Sequence, residues 1–143
     1  MSKLSNKKMF IIAFALGLLA YFAIQVIVEL TRDGETVHEP TIQFISSSEA
    51  NSKINEHQGA FILDVRSNEE YFEIRIPGAI NIPYLMIGAK QDLLPGDKQT
   101  LIFVYCRTGR RATTAANKLL ELGYTNIVVF PGMASWQYET VTG

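Results

Sequence analysis

One cysteine and two histidines are all that the 143 residues offer of the side chains that usually build structural zinc sites. A single thiol excludes an internal disulfide, and without Cys or His clusters a zinc site has no ligand set. Neither sign of charge is in excess, with 13 Lys and Arg against 14 Asp and Glu. That balance argues against nucleic acid as a principal partner. No segment repeats, so solenoids and propellers are excluded.

What the chain has in abundance is apolar side chains, 48% of its residues, and one segment accounts for the excess. Residues 9–28 read MFIIAFALGLLAYFAIQVIV, without a charge and with Gln25 as the only strongly polar side chain. Twenty helical residues span about 30 Å, the thickness of a bilayer's hydrocarbon core. Lys3, Lys7 and Lys8 precede the run, whereas Arg32 is the nearest cation after it. Excess positive charge keeps the leading end in the cytoplasm. The run is longer than a signal-peptide core, and no small-x-small cleavage site follows it, which favours an uncleaved anchor over a signal peptide. The expected organisation is a basic cytoplasmic N-terminus (1–8), a transmembrane helix in contact with the lipid bilayer (9–30), a linker (31–40) and one globular domain (41–143). That arrangement puts the chain in the inner (plasma) membrane, with its domain in the periplasm or outside the cell. Ala13 and Gly17 have the small-residue spacing of a close helix–helix contact, the one feature in favour of a dimer.

Past the linker, short β-rich runs alternate with helical ones. TIQFI (41–45), AFILDV (60–65), AINIP (79–83), TLIFVY (100–105) and NIVVF (126–130) read as strands. The second and fourth are continuous apolar runs, as expected of strands covered on both faces. Ser46 with Glu49 and Ser67 with Glu70 have capping-box spacing and open helices. Residues 84–94 and 109–122 read as further helices, the latter stopped by Gly123, and 133–139 as a closing one. The alternation predicts an α/β fold with a mostly parallel sheet between layers of helices. Ligands of such folds bind beyond the carboxyl ends of the strands, where Asp64 and Cys106 both fall.

The segment YCRTGRRA places the lone thiol, Cys106, where a strand gives way to a helix. A short loop there leaves backbone N–H groups unpaired, and Gly109 permits the tight turn that wraps them around one centre. Arg107, Arg110 and Arg111 add positive charge. Each effect favours a thiolate, and a thiolate in an anion cradle is a nucleophile whose anionic adducts are stabilised as well. A buried core cysteine beside a basic helix face is the plainer alternative. Against it, Cys106 ends the apolar run instead of lying within it.

CRTGRR resembles the active-site loop of rhodanese-like domains, Cys-x-x-Gly-x-Arg. ILDVRSNEEYFEIRIPGAINIPY (62–84) and LELGYTNIVVFPGMASW (120–136) are similar to that family's flanking segments, so the resemblance covers roughly 41–140. There are departures: Ile74-Arg75 replaces the usual Gly-His, and Pro131-Gly132 replaces Gly-Gly. The resemblance implies a three-layer fold with a five-stranded central sheet, here preceded by a transmembrane helix. It also implies transfer of a sulfane sulfur from a small anionic donor such as thiosulfate, or from a persulfide, to a thiophilic acceptor. Cys106 would carry the sulfur as a persulfide, with Arg107, Thr108, Gly109, Arg110 and Arg111 supplying the loop and its anion-binding groups. No metal or organic cofactor is implied.

Asp64 and Arg66 either build the pocket wall or, for Asp64, merely end the strand. Arg111 is expected to tie the loop to a carboxylate such as Asp64, and Arg107 to face the entrance. Trp136 and Tyr124 read as core anchors, His38 and His57 as surface residues. Two other functions compete. A cysteine-dependent phosphatase would need an arginine at position 112, which is Ala112. A persulfide carrier without turnover, or a module that only binds a partner, is the other.

Overall fold

The computed structural model describes residues 17–19, 21–26 and 40–143. The described residues of the N-terminal unit are helical, with Leu19, Phe22 and Ile24 exposed. Among the described residues no helix is long and apolar enough to cross a membrane. The expected anchor over 9–30 falls largely outside them, as do Ala13, His38 and most of the segments 1–8 and 31–40.

From Thr41 onward the chain alternates strand and helix. The elements are β1 (Thr41–Phe44), α1 (Ser47–Glu56), β2 (Phe61–Asp64), α2 (Asn68–Glu73), β3 (Ile80–Asn81), β4 (Ile102–Cys106), α3 (Arg110–Glu121) and β5 (Asn126–Gly132). All five strands run parallel, as the alternation predicts, and the order is β1-β5-β4-β2-β3. β4 lies at the centre, between β5 and β2, with all five residues buried.

Alternation along the strands splits the core into two layers. Ile102, Val104 and Cys106 of β4 point to the side covered by Ala112, Ala115, Ala116 and Leu119 of α3. Those helix positions recur at three and four residues, which makes one apolar stripe. Phe103 and Tyr105 point the other way, toward Ala50 of α1, with Val128 and Phe130 of β5 beside them. The side chain of Cys106 is therefore assigned to the α3 layer by strand parity alone.

Local signals set the helix starts. Ser67 Oγ accepts the Glu70 amide and Glu70 returns to the Ser67 amide, a complete capping box. At Ser46 only the first half forms, from the Glu49 amide. Two expected helices are absent. Residues 84–94 form two short 3-10 turns, Tyr84–Met86 and Gln91–Leu93. Gly88 between them disfavours a helix interior by about 1 kcal/mol, and Lys90 has non-helical angles. Residues 133–139 make a turn and an irregular strap. Seven residues seldom sustain a helix alone, and the Met133 and Ala134 amides are bonded to the carbonyls of Cys106 and Arg107.

Candidate active site

The site begins as a fault in the central strand pairing. Tyr105 lies opposite Phe130, yet Cys106 lies opposite Gly132, so Pro131 is left over as a bulge. Proline has no N–H to lose there, which suits it to the unpaired position. Gly132 then turns with φ +80°, a left-handed angle that brings Met133 N–H onto the Cys106 carbonyl at 3.1 Å. Ala134 N–H reaches the Arg107 carbonyl at 2.9 Å. The end of β5 therefore secures the loop from outside the sheet.

Inside the loop, Gly109 also takes a left-handed angle, φ +98°, and directs its N–H at Cys106 Sγ, 3.1 Å away. Gly109 is the N-cap of α3 and carries no capping side chain. The Arg110, Arg111 and Ala112 amides have no earlier turn to bond to, so the positive end of α3 lies next to the sulfur. Cys106 is only 1% exposed. It is buried at the end of the central strand, with the Gly109 amide as a hydrogen-bond donor to its sulfur.

Arg111 is tied to Glu70, not to Asp64 as the sequence suggested. Its two terminal nitrogens donate to the two Glu70 oxygens at 2.7 and 2.9 Å. The Arg111 hydrogen bonds pull the Glu70 carboxyl down to about 2, with burial opposing and the Ser67 amide assisting. Arg111 in turn is held charged, its pKa raised first by Glu70 and further by the neighbouring Cys106 sulfur. Glu70 therefore holds the loop cation in place at any pH above the acid range in which Glu70 itself is protonated.

Asp64 is unavailable to Arg111 because Arg66 occupies it. The Arg66 backbone amide, Nε and a terminal nitrogen all donate to the Asp64 carboxylate, at 2.6 to 3.0 Å. Both residues are buried, at 0% and 3% exposure. Burial alone would lower the Arg66 pKa, but the hydrogen bonds and charge of Asp64 outweigh it. Arg66 also donates to the Ile74 carbonyl at 2.6 Å and lies over the Tyr105 ring. Asp64 thus both ends β2 and fixes Arg66, which forms part of a cavity wall.

Arg107 and Thr108 project from the loop and are exposed, as is Arg110. Arg107 lines a cavity of about 580 Å³ together with Arg66, Glu70 and Trp136. Arg110 and Arg111 line a smaller cavity of about 230 Å³ with Tyr84 and Thr114. Tyr124 is a core anchor, as expected. Trp136 packs against the core too, half-buried and tilted on Phe130, and it also lines the larger cavity. His57 closes α1 with its ring on the Lys53 carbonyl, away from the loop. Sequence reasoning assigned Glu70 to capping alone, because its partner lies 41 residues away.

The rhodanese-like domain family model matches residues 46–139. This chain belongs to that family. Among curated relatives, YrkF of Bacillus subtilis (strain 168), a candidate sulfur carrier, is 32% identical over 114 residues, which are 78% of this chain and 60% of that protein. YtwF of the same strain, a candidate sulfurtransferase, is 34% identical over 69% of this chain and 94% of its own length. The thiosulfate sulfurtransferase PspE of Escherichia coli (strain K12) is 37% identical over 57% of this chain and 78% of its own. The rhodanese-related protein of Thermoplasma volcanium superposes with a TM-score of 0.61 at 27% identity, over 71% of this chain and 99% of that one. The named relatives of this rhodanese-like domain are thus proteins of sulfur transfer and carriage.

Proposed function

We propose that the protein is a sulfurtransferase in which Cys106 takes a sulfane sulfur from thiosulfate or a persulfide and passes it to a thiophilic acceptor. The observation that carries this reading is the Gly109 amide on Cys106 Sγ at 3.1 Å, beside the positive end of α3. With thiosulfate, the Cys106 thiolate attacks the outer sulfur and the S–S bond of the donor breaks. Sulfite leaves with the electron pair, and a persulfide anion remains on Cys106. Loop amides and Arg111 favour that anion as they favour the thiolate. A second nucleophile then removes the outer sulfur and restores the thiolate.

Two further observations support sulfur over phosphate chemistry. Position 112, where a phosphatase loop needs its arginine, is an alanine with no exposed surface, in the same core layer as Val104 and Leu119. The arginine at 111 is engaged by Glu70. Mass spectrometry of the full chain after thiosulfate treatment tests the reading. One added sulfur on Cys106, turned over by cyanide, is expected. Hydrolysis of an aryl phosphate without sulfur loading would overturn it, and loading without turnover would make the protein a carrier.

We propose further that residues 9–30 anchor the chain in the plasma membrane, with the basic end in the cytoplasm and the domain outside. The charge-free run and the flanking Lys3, Lys7 and Lys8 support this. Alkaline extraction of membranes tests it: release of the full chain into the soluble fraction would end the proposal.

A further inference from the structure

The two edges of the sheet are built differently. β3 is only two residues long, and Asn81 turns its side-chain amide back onto the Asp64 and Arg66 carbonyls. An edge that short is one of the ways in which sheets avoid pairing with another chain. β1 has four residues, TIQF, and none of the usual guards. It contains no charge and no proline, and its register with β5 runs without a bulge. The Phe44 side chain on it is 64% exposed.

The outer side of β1 is open in a definite pattern. The Thr41 amide bonds the Thr125 carbonyl and the Ile45 amide bonds the Val129 carbonyl, so the odd-numbered positions face β5. Ile42 and Phe44 therefore direct their N–H and C=O groups outward, where no strand pairs with them among the described residues. Side chains alternate too. Ile42 packs on the α3 layer and Phe44 lines a cavity with Thr113 of α3, while Ile45 belongs to the α1 layer. Gln43 shares the α1 side by parity.

We infer that β1 is a docking edge for a second copy of this chain, paired antiparallel about a twofold axis at Gln43. In that register Ile42 lies opposite Phe44 of the other copy, and each such pair exchanges both of its backbone bonds. The exposed phenyl ring of each copy covers the half-buried Ile42 of the other. Gln43 meets its own counterpart, and a primary amide both donates and accepts, so the meeting satisfies both. A strand of either charge would repel itself across the axis, whereas TIQF is neutral. That self-complementarity selects a second copy over a charged partner segment. Four residues a side fall well below the roughly 20 to 30 of a standard interface, so the pair is weak and depends on concentration.

The register fixes the test. Opposed residues outside the hydrogen-bonded pairs have α-carbons about 4.5 Å apart, within disulfide reach, and Gln43 holds that place. Thr41, exposed on the same side, falls opposite Ile45 and stands about 13 Å from its own counterpart. The full chain in detergent, with Cys106→Ser so that the introduced thiol is alone, is oxidised as Gln43→Cys, Thr41→Cys or Asn117→Cys, the last on the exposed side of α3. Gln43→Cys is expected to form covalent dimers about tenfold faster than the other two, because pairing raises the effective concentration of its thiols. Equal rates at the three positions would overturn the inference. Sedimentation of the chain with Cys106 intact is the second measure. The parent should gain mass with concentration, and Gln43→Lys, which sets two like charges face to face, should not. A parent that stays monomeric would overturn the inference, as would an assembly that survives Gln43→Lys, which would belong to another surface. Sulfur loading of Cys106 is read separately, so neither result bears on the sulfur-transfer reading.

Discussion

Gly132 packs its α-carbon against the backbone carbonyl of Cys106, so closely that a β-carbon on Gly132 would collide with that oxygen and with the Tyr105 ring. The contact follows from the bulge at Pro131, which advances Gly132 to the position opposite Cys106. The Pro-Gly pair keeps the glycine of a motif that is usually Gly-Gly where the backbone requires it.

Gly132→Ala should therefore destabilise the domain by about 2 to 4 kcal/mol, since strain at a positive φ adds to backbone overpacking. Urea unfolding of the variant reads this as a lowered midpoint. An unchanged midpoint would mean that the two strands are free to separate at Cys106.

Gly109→Ala separates geometry from space. A β-carbon there meets only the Pro131 α-carbon, at 3.8 Å, so there is room, but φ is +98°. The cost to stability should be smaller, about 1 kcal/mol. Relaxation of the turn would carry the amide away from Sγ, so sulfur loading should slow by about tenfold or more, the scale of losing one donor to a developing anion. Stopped-flow measurement of persulfide formation checks this. A variant that unfolds earlier and loads as fast would deny the amide its role.

The Glu70–Arg111 pair predicts an acid-dependent loss of stability. Glu70 is depressed from 4.5 to about 2. A depressed carboxyl contributes stability above its unfolded value and loses it as pH falls through the folded one. The contribution should be full above about pH 4.5 and gone near pH 2. With both side chains about a third exposed, solvent screening holds it to about 1 to 2 kcal/mol. Glu70→Gln should be less stable than the parent by that amount at pH 7, and the two should converge toward pH 2. A difference that does not depend on pH would assign the effect to the cap of α2.

Much of the fold was legible because each strand and cap is a local signal. The runs Phe61–Leu63 and Ile102–Tyr105 are apolar because both faces of their sheet are covered. Cys106, Gly109 and Arg111 were legible as neighbours because the loop is contiguous in sequence. The choice of partner for Arg111 was not. Asp64 and Glu70 are both carboxylates near the loop, and only three dimensions reveal that Arg66, two residues from Asp64, has already taken it. The attachment of the closing segment was hidden in the same way. Nothing local in MASWQYE announces that its first amides are bound to the carbonyls of a loop 27 residues earlier.

Asp64 and Arg66 support the last prediction, because their burial makes removing one charge worse than removing both. Asp64→Asn should leave the Arg66 guanidinium buried with its charge uncompensated, at a cost of about 3 to 5 kcal/mol. Arg66→Met should be comparably harmful, since it strands the Asp64 carboxylate. The double variant Asp64→Asn/Arg66→Met removes both charges and should recover a good part of the loss, so the two single effects will not add. The Ile74 carbonyl, which accepts from Arg66 at 2.6 Å, would still lose its donor, so recovery should be incomplete. Chemical denaturation of the four proteins closes the cycle. Strict additivity would mean that the two side chains are stabilised independently and that their contact contributes nothing to the wall of the cavity.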